Sequence, residues 1–137
     1  MASTIPFKLI TPMKVVFEGD AELVIAVTTE GEEGILPQHA PFLAALKPGV
    51  LRANVVREGK GERLELATSE GFMQALPDRV TVLVDEALRF DDVDIAAARE
   101  EHSQSAERQK NATGDAFTRE QAIIDFANAK LRLTGHS

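Results

Sequence analysis

The sequence predicts a β + α protein: an N-terminal antiparallel β-sandwich or barrel over residues 1–86, then a C-terminal two-helix antiparallel hairpin over residues 87–137. Three observations predict it. Up to about Leu88 the apolar residues recur with period two, and Gly or Pro interrupts them every few positions. Residues 92–110 then hold neither Gly nor Pro and are dominated by helix formers. Residues 119–133 carry apolar side chains at spacings of three and four.

Taken in order, Phe7 with Leu9 and Val15 with Phe17 flank a Thr11-Pro12 break, so two strands are expected there. Strands follow at 23–27, 51–56, 63–67, 72–76 and 80–84. Lys47-Pro48-Gly49 places Pro where φ is fixed and Gly where φ can be positive, as a type II turn needs. Glu58-Gly59-Lys60-Gly61 is a hairpin loop, and Pro77-Asp78 separates the last two strands. Beyond Arg89, Asp91, Asp92 and Asp94 supply the negative charge that a helix N-terminus favours. Residues 111–115 stop that helix, and Thr118-Arg119-Glu120-Gln121 fits a capping box for the next. On the second helix Ala122, Ile123, Phe126, Ala129 and Leu133 form the apolar face, widened by Ile124, Ala127 and Leu131. Alanines of the first helix face it, allowing close approach while burying little area.

The formal charge of −7 and the lack of Trp and Tyr argue against nucleic acid, which needs cations for phosphate and rings for bases. No cysteine is present, so disulfides, thiolate metal sites and a cysteine nucleophile are excluded. No run nears the ~20 apolar residues of a membrane helix. The N-terminal stretch has neither the apolar core of a signal peptide nor the Arg-rich character of a transit peptide. The expectation is a protein at the cytosolic side.

Chemistry is not evident. His39, His102 and His136 lack ligand spacing, so no metal site is expected. Ser69-Glu70-Gly71 is not a nucleophile elbow. Gly31 and Gly34 are flanked by Glu30, Glu32 and Glu33, whose charge repels phosphate. Those carboxylates are open to three readings: a solvated acidic loop, a divalent-metal or acid/base pair, or a contact patch for a basic or polar partner. No catalytic residue is assigned, and function is expected in the surfaces.

The segment at 30–52, EGEEGILPQHAPFLAALKPGVLR, with Thr68-Ser69-Glu70-Gly71-Phe72 and Val80-Thr81-Val82-Leu83-Val84-Asp85-Glu86-Ala87, resembles the epsilon subunit family of F-type ATP synthases in order and spacing. The resemblance implies a non-catalytic rotor subunit of the central stalk, coupling rotation of the c-ring to the gamma subunit. It implies that Glu30, Glu32 and Glu33 face the c-ring and that His39 and Pro41 lie near gamma. It places the protein peripherally at the cytoplasmic face of the bacterial inner membrane, with no direct membrane insertion. An unrelated β-domain adaptor with a helical interaction tail is the competing reading.

The C-terminal hairpin resembles the family's regulatory element, which inhibits ATP hydrolysis when it extends towards the alpha/beta catalytic hexamer. Roughly 42 helical residues at ~1.5 Å each reach roughly 60 Å. Arg108, Lys110, Arg119, Lys130 and Arg132 are then the candidate inhibitory contacts, although residues 85–137 carry eleven acidic groups against seven basic ones. Some members bind ATP through I/L-D-x-x-R-A. Here Asp94 matches, but Ala97 stands at the Arg position, and Arg99 lies about 200° further round the helix. Asp94 and Arg99 thus form an incomplete nucleotide motif, and no cofactor is expected.

Overall fold

The computed structural model describes residues 3–136. Nine strands precede two helices: β1 (Ile5–Ile10), β2 (Val15–Thr28), β3 (Gly31–Ile35), β4 (Phe42–Leu46), β5 (Gly49–Arg57), β6 (Lys60–Thr68), β7 (Gly71–Leu76), β8 (Arg79–Val84) and β9 (Ala87–Leu88). A short 3-10 turn at Phe90–Asp92 leads into α1 (Ile95–Gln109) and α2 (Gly114–Leu133). The predicted fold class is therefore the observed one.

The long β2 organises the sheet. Along one edge it pairs with β1 and then with β3; along the other it pairs with β5 and, through Thr28 and Leu46, with β4. A register shift between Ala21 and Leu23 lies where β2 passes from one half of the structure to the other. Parallel β1–β8 and antiparallel β8–β7 and β7–β4 pairings carry the path back to β2, closing a flattened barrel. Alternation aims Ile5, Phe7 and Leu9 inward from β1 and Val80, Val82 and Val84 inward from β8. Phe7 and Phe17 meet with ring centroids 5.5 Å apart.

The turns follow their residues. Arg57 pairs with Lys60 across Glu58-Gly59, both at positive φ (53° and 78°), the two-residue hairpin geometry that matches strand twist. Gly49 corrects the expected type II turn: its φ is not positive, and it begins β5. Glycine is required there for space instead, since a Cβ would stand 2.6 Å from Val27 Cγ2.

Three other expectations change. Residues 31–35 form an edge strand rather than a loop, and residues 42–46 form a strand as well. Glu-rich sequence with two glycines reads as loop, yet charge is what an edge strand tolerates, because it discourages further pairing. α1 starts three residues later than expected, with Asp94 as its cap. α2 starts at Gly114, so Thr118 lies inside the helix and its hydroxyl donates to Gly114 O at 3.3 Å instead of opening a capping box.

α2 lies on β5 and β6, where Phe126 and Ala129 pack with Val50 and Ala67, flanked by Leu88 and Leu133. Its buried positions are Ile124, Phe126, Ala127, Ala129, Lys130 and Leu131. Ile123, expected on the buried face, is exposed, and Ile124 takes its place. α1 packs on α2, so the hairpin is closed and docked.

Candidate functional site

Glu30, Glu32 and Glu33 lie at the β2–β3 turn. The Thr28 hydroxyl donates to Gly31 O at 2.6 Å and accepts from the Glu30 backbone N–H at 3.1 Å, which shapes the turn without using its carboxylate. Period two separates the next pair: Glu32 and Glu33 point to opposite faces of β3. Glu32 shares its face with Arg52, whose Nη2 donates to Glu32 Oε2 at 2.6 Å. Both groups keep solvent contact, so this pair adds at most ~1 kcal/mol to stability. What remains is an exposed, charged hairpin tip ordered by its pairing with β2.

His39 and Pro41 belong to the connection at 36–41. His39 Nδ1 lies 2.8 Å from Leu36 O and pins that connection, while its Nε2 is buried with no hydrogen-bond partner. Pro41 is exposed and leads directly into β4.

Beside it lies a surface that periodicity did not single out. Phe72 on β7 stands opposite Leu83 on β8, with Ala45 of β4 on one flank and Ile10 of β1 on the other. Leu43 sits two residues along β4 on the same face. These outward side chains are 71% (Leu43), 58% (Phe72) and 50% (Leu83) exposed. Ile10, Pro12, Ala45, Phe72 and Leu83 also line a shallow concavity there. Contiguous apolar exposure of this kind marks a contact surface. The available sequence signal was that β7 and β8 are apolar in both phases, as at Phe72-Met73 and Val82-Leu83.

On the hairpin, the Asp94 carboxylate accepts from the Ala97 N–H at 3.0 Å, which caps α1 and occupies one half of the incomplete nucleotide motif. Arg99 is exposed on the first turns of α1. The five basic candidates are not equivalent. Lys130 is 8% exposed; its Nζ lies 2.8 Å from Glu101 Oε1 and 4.5 Å from the centroid of the Phe126 ring. Arg108 Nε donates to both Glu120 oxygens, at 2.9 and 3.2 Å. Lys110 pairs with Glu107 at 3.1 Å on the surface. Arg119 borders an acidic groove with Glu70, Asp85, Glu86 and Glu101, and Arg132 borders a groove of mixed charge with Glu32, Arg52 and Glu65.

The Arg108 hydrogen bonds hold the Glu120 carboxyl below the ordinary carboxylate range, outweighing partial burial, which pushes it up. A depressed folded-state pKa makes this contribution present above the unfolded-state value and lost as pH falls through the folded one. Exchange of amides 105–121 is thus expected to accelerate below about pH 4 relative to that of the barrel, with intrinsic rates corrected. Equal pH dependence in both regions contradicts it.

Among the described residues no helix is long and apolar enough to cross a membrane.

Residues 4–90 match the family model of the ATP synthase Delta/Epsilon chain β-sandwich domain. The ATP synthase epsilon chain of Chromobacterium violaceum is 40% identical over 126 residues, spanning 91% of this chain and 89% of that one. That of Xanthomonas campestris pv. campestris is 41% identical over 131 residues, with 96% and 91% covered. That of Desulforamulus reducens is 39% identical over 133 residues, with 97% of each covered. A chain of the Euglena gracilis mitochondrial ATP synthase shares the fold with TM-score 0.79 at 18% identity, covering 97% of this chain and 82% of that chain.

Proposed function

This chain belongs to the ATP synthase epsilon chain family, and from that premise we propose that it is a non-catalytic subunit of the central stalk. In this reading it couples rotation of the c-ring to gamma and restrains ATP hydrolysis through its C-terminal helices. The observation that carries it is the exposed apolar row of Leu43, Phe72 and Leu83 beside the pinned connection that bears His39 and Pro41. An apolar sheet face next to a shaped loop suits a permanent protein neighbour, and gamma is assigned to it.

The opposite role falls to the β2–β3 tip. Glu30, Glu32 and Glu33 are charged, Glu32 and Glu33 held by backbone pairing and Glu30 by its N–H to the Thr28 hydroxyl, which suits contact with the polar loops of a c-ring. In this reading the chain works peripherally, on the cytoplasmic face of the bacterial membrane. Residues 1–86 and 87–137 act as the coupling and regulatory parts. In the closed hairpin Lys130 and Arg108 are engaged by Glu101 and Glu120, so inhibition by these cations requires the hairpin to open. Asp94 is used as a helix cap.

ATPase assays of the complex assembled with the full chain, or with a chain ending after Phe90, test the regulatory part. Ending there keeps β9, whose Ala87 and Leu88 pair with Thr68 and Ala67. The shortened complex is expected to hydrolyse ATP several-fold faster. Equal rates, with the shortened chain still bound, overturn the inhibitory role.

A further inference from the structure

The two helices of the hairpin are held by different forces. α2 is anchored to the barrel through Phe126, Ala129 and Leu133 on Val50, Ala67 and Leu88, an apolar contact that salt does not weaken. α1 packs on α2, and the residues it buries fully are Ala98 and Ser105, which bring little apolar area. Polar links carry the rest of the seam. Glu101 meets Lys130 at 2.8 Å, Arg108 meets Glu120 at 2.9 Å, and Gln109 donates to Gln121 Oε1 at 2.8 Å. One partner in each ion pair is about half exposed (Glu101 47%, Arg108 55%), so ions in solution reach both pairs.

We propose that the hairpin opens in two stages, α1 leaving α2 first under control of the Glu101–Lys130 and Arg108–Glu120 pairs, while α2 stays docked on β5 and β6. The seam is then an ionic latch on an apolar anchor. Lys130 joins the two, since its Nζ contacts Glu101 while its stem and charge rest on the Phe126 ring that docks α2. Loss of the Glu101 partner leaves the Lys130 ammonium buried and unpaired, which favours release of α1.

Hydrogen exchange of the isolated full chain, followed by mass spectrometry, tests the proposal. The salt concentration is raised from about 20 mM to about 500 mM NaCl, shortening the screening length from roughly 20 Å to roughly 4 Å. Exchange in residues 95–109 is expected to accelerate roughly three- to tenfold, with residues 124–133 and the strands unchanged. In Glu101→Gln the amides of α1 should exchange at low salt as fast as those of the unmodified chain at high salt. In the double variant Glu101→Gln, Lys130→Met, which buries no unpaired charge, α1 should regain protection and respond less to salt. If α1 and α2 lose protection together at every salt concentration, or if α1 ignores salt, two-stage opening is wrong.

Discussion

Gly71→Ala is expected to unfold the barrel or to lower its stability by about 3 kcal/mol or more. Gly71 begins β7 and pairs with Val84 of β8. A Cβ built there would stand 1.9 Å from Leu83 O, 2.8 Å from Val84 Cα and 2.9 Å from Leu83 C. All three are backbone atoms in a paired strand, so no side chain can turn aside to relieve the contact. Separating β7 from β8 would break the path that closes the barrel through β1. Urea unfolding of the full chain measures the loss. As a control, Gly59→Ala meets nothing within 4 Å, and its strain comes only from φ at 78°, about 1 kcal/mol. Similar midpoints for the two variants would contradict the account of Gly71.

Phe126→Ala is the second large effect, and a local one. Phe126 is 8% exposed, packs on Val50 and Ala67, and carries the Lys130 ammonium over its ring. Truncating a buried Phe costs about 3–5 kcal/mol, and here the loss falls on the docking of α2 rather than on the barrel core. The outcome expected is a folded barrel with an undocked hairpin. Trypsin should then cleave after Arg108, Lys110, Arg119, Lys130 or Arg132 far faster than in the unmodified chain, while residues 4–90 survive. Unchanged resistance of the hairpin would show that other contacts hold it.

Much of this architecture could be read in the sequence, for reasons that specific residues make clear. Leu51, Ala53 and Val55 alternate with exposed or half-buried positions, so β5 announces both its existence and its inward face. Glu58-Gly59 marks its hairpin by backbone chemistry alone. β3 was hidden because every residue from Gly31 to Gly34 is exposed, and pairing along one edge leaves no hydrophobic signature. On α2, Ile123 and Ile124 are adjacent within one wide apolar arc. Which of them is buried depends on how the helix is rotated between the sheet and α1, and that rotation is a tertiary property.

The candidate surfaces divide in the same way. The charged tip at Glu30, Glu32 and Glu33 stands out in sequence because carboxylates cluster there, although only pairing reveals that Glu32 and Glu33 face apart. The Leu43, Phe72 and Leu83 surface does not stand out. Leu83 follows Val82 and Phe72 precedes Met73, so apolar residues fill both phases and alternation cannot tell the inner face from the outer. Lys130 misleads for a similar reason: a lysine on a helix reads as solvated, whereas its stem is covered and its charge is met by Glu101.

The central claim is that the apolar barrel face docks the gamma subunit. Its most direct test is the affinity of the full chain for the cognate gamma subunit by isothermal titration, with Phe72→Glu as the reporting variant. Phe72 is 58% exposed, so this change leaves the core intact. Measurable binding by the unmodified chain, weakened at least about tenfold in Phe72→Glu, is the predicted result. An intact chain with no affinity for gamma, or a Phe72→Glu variant that binds as tightly, would contradict it.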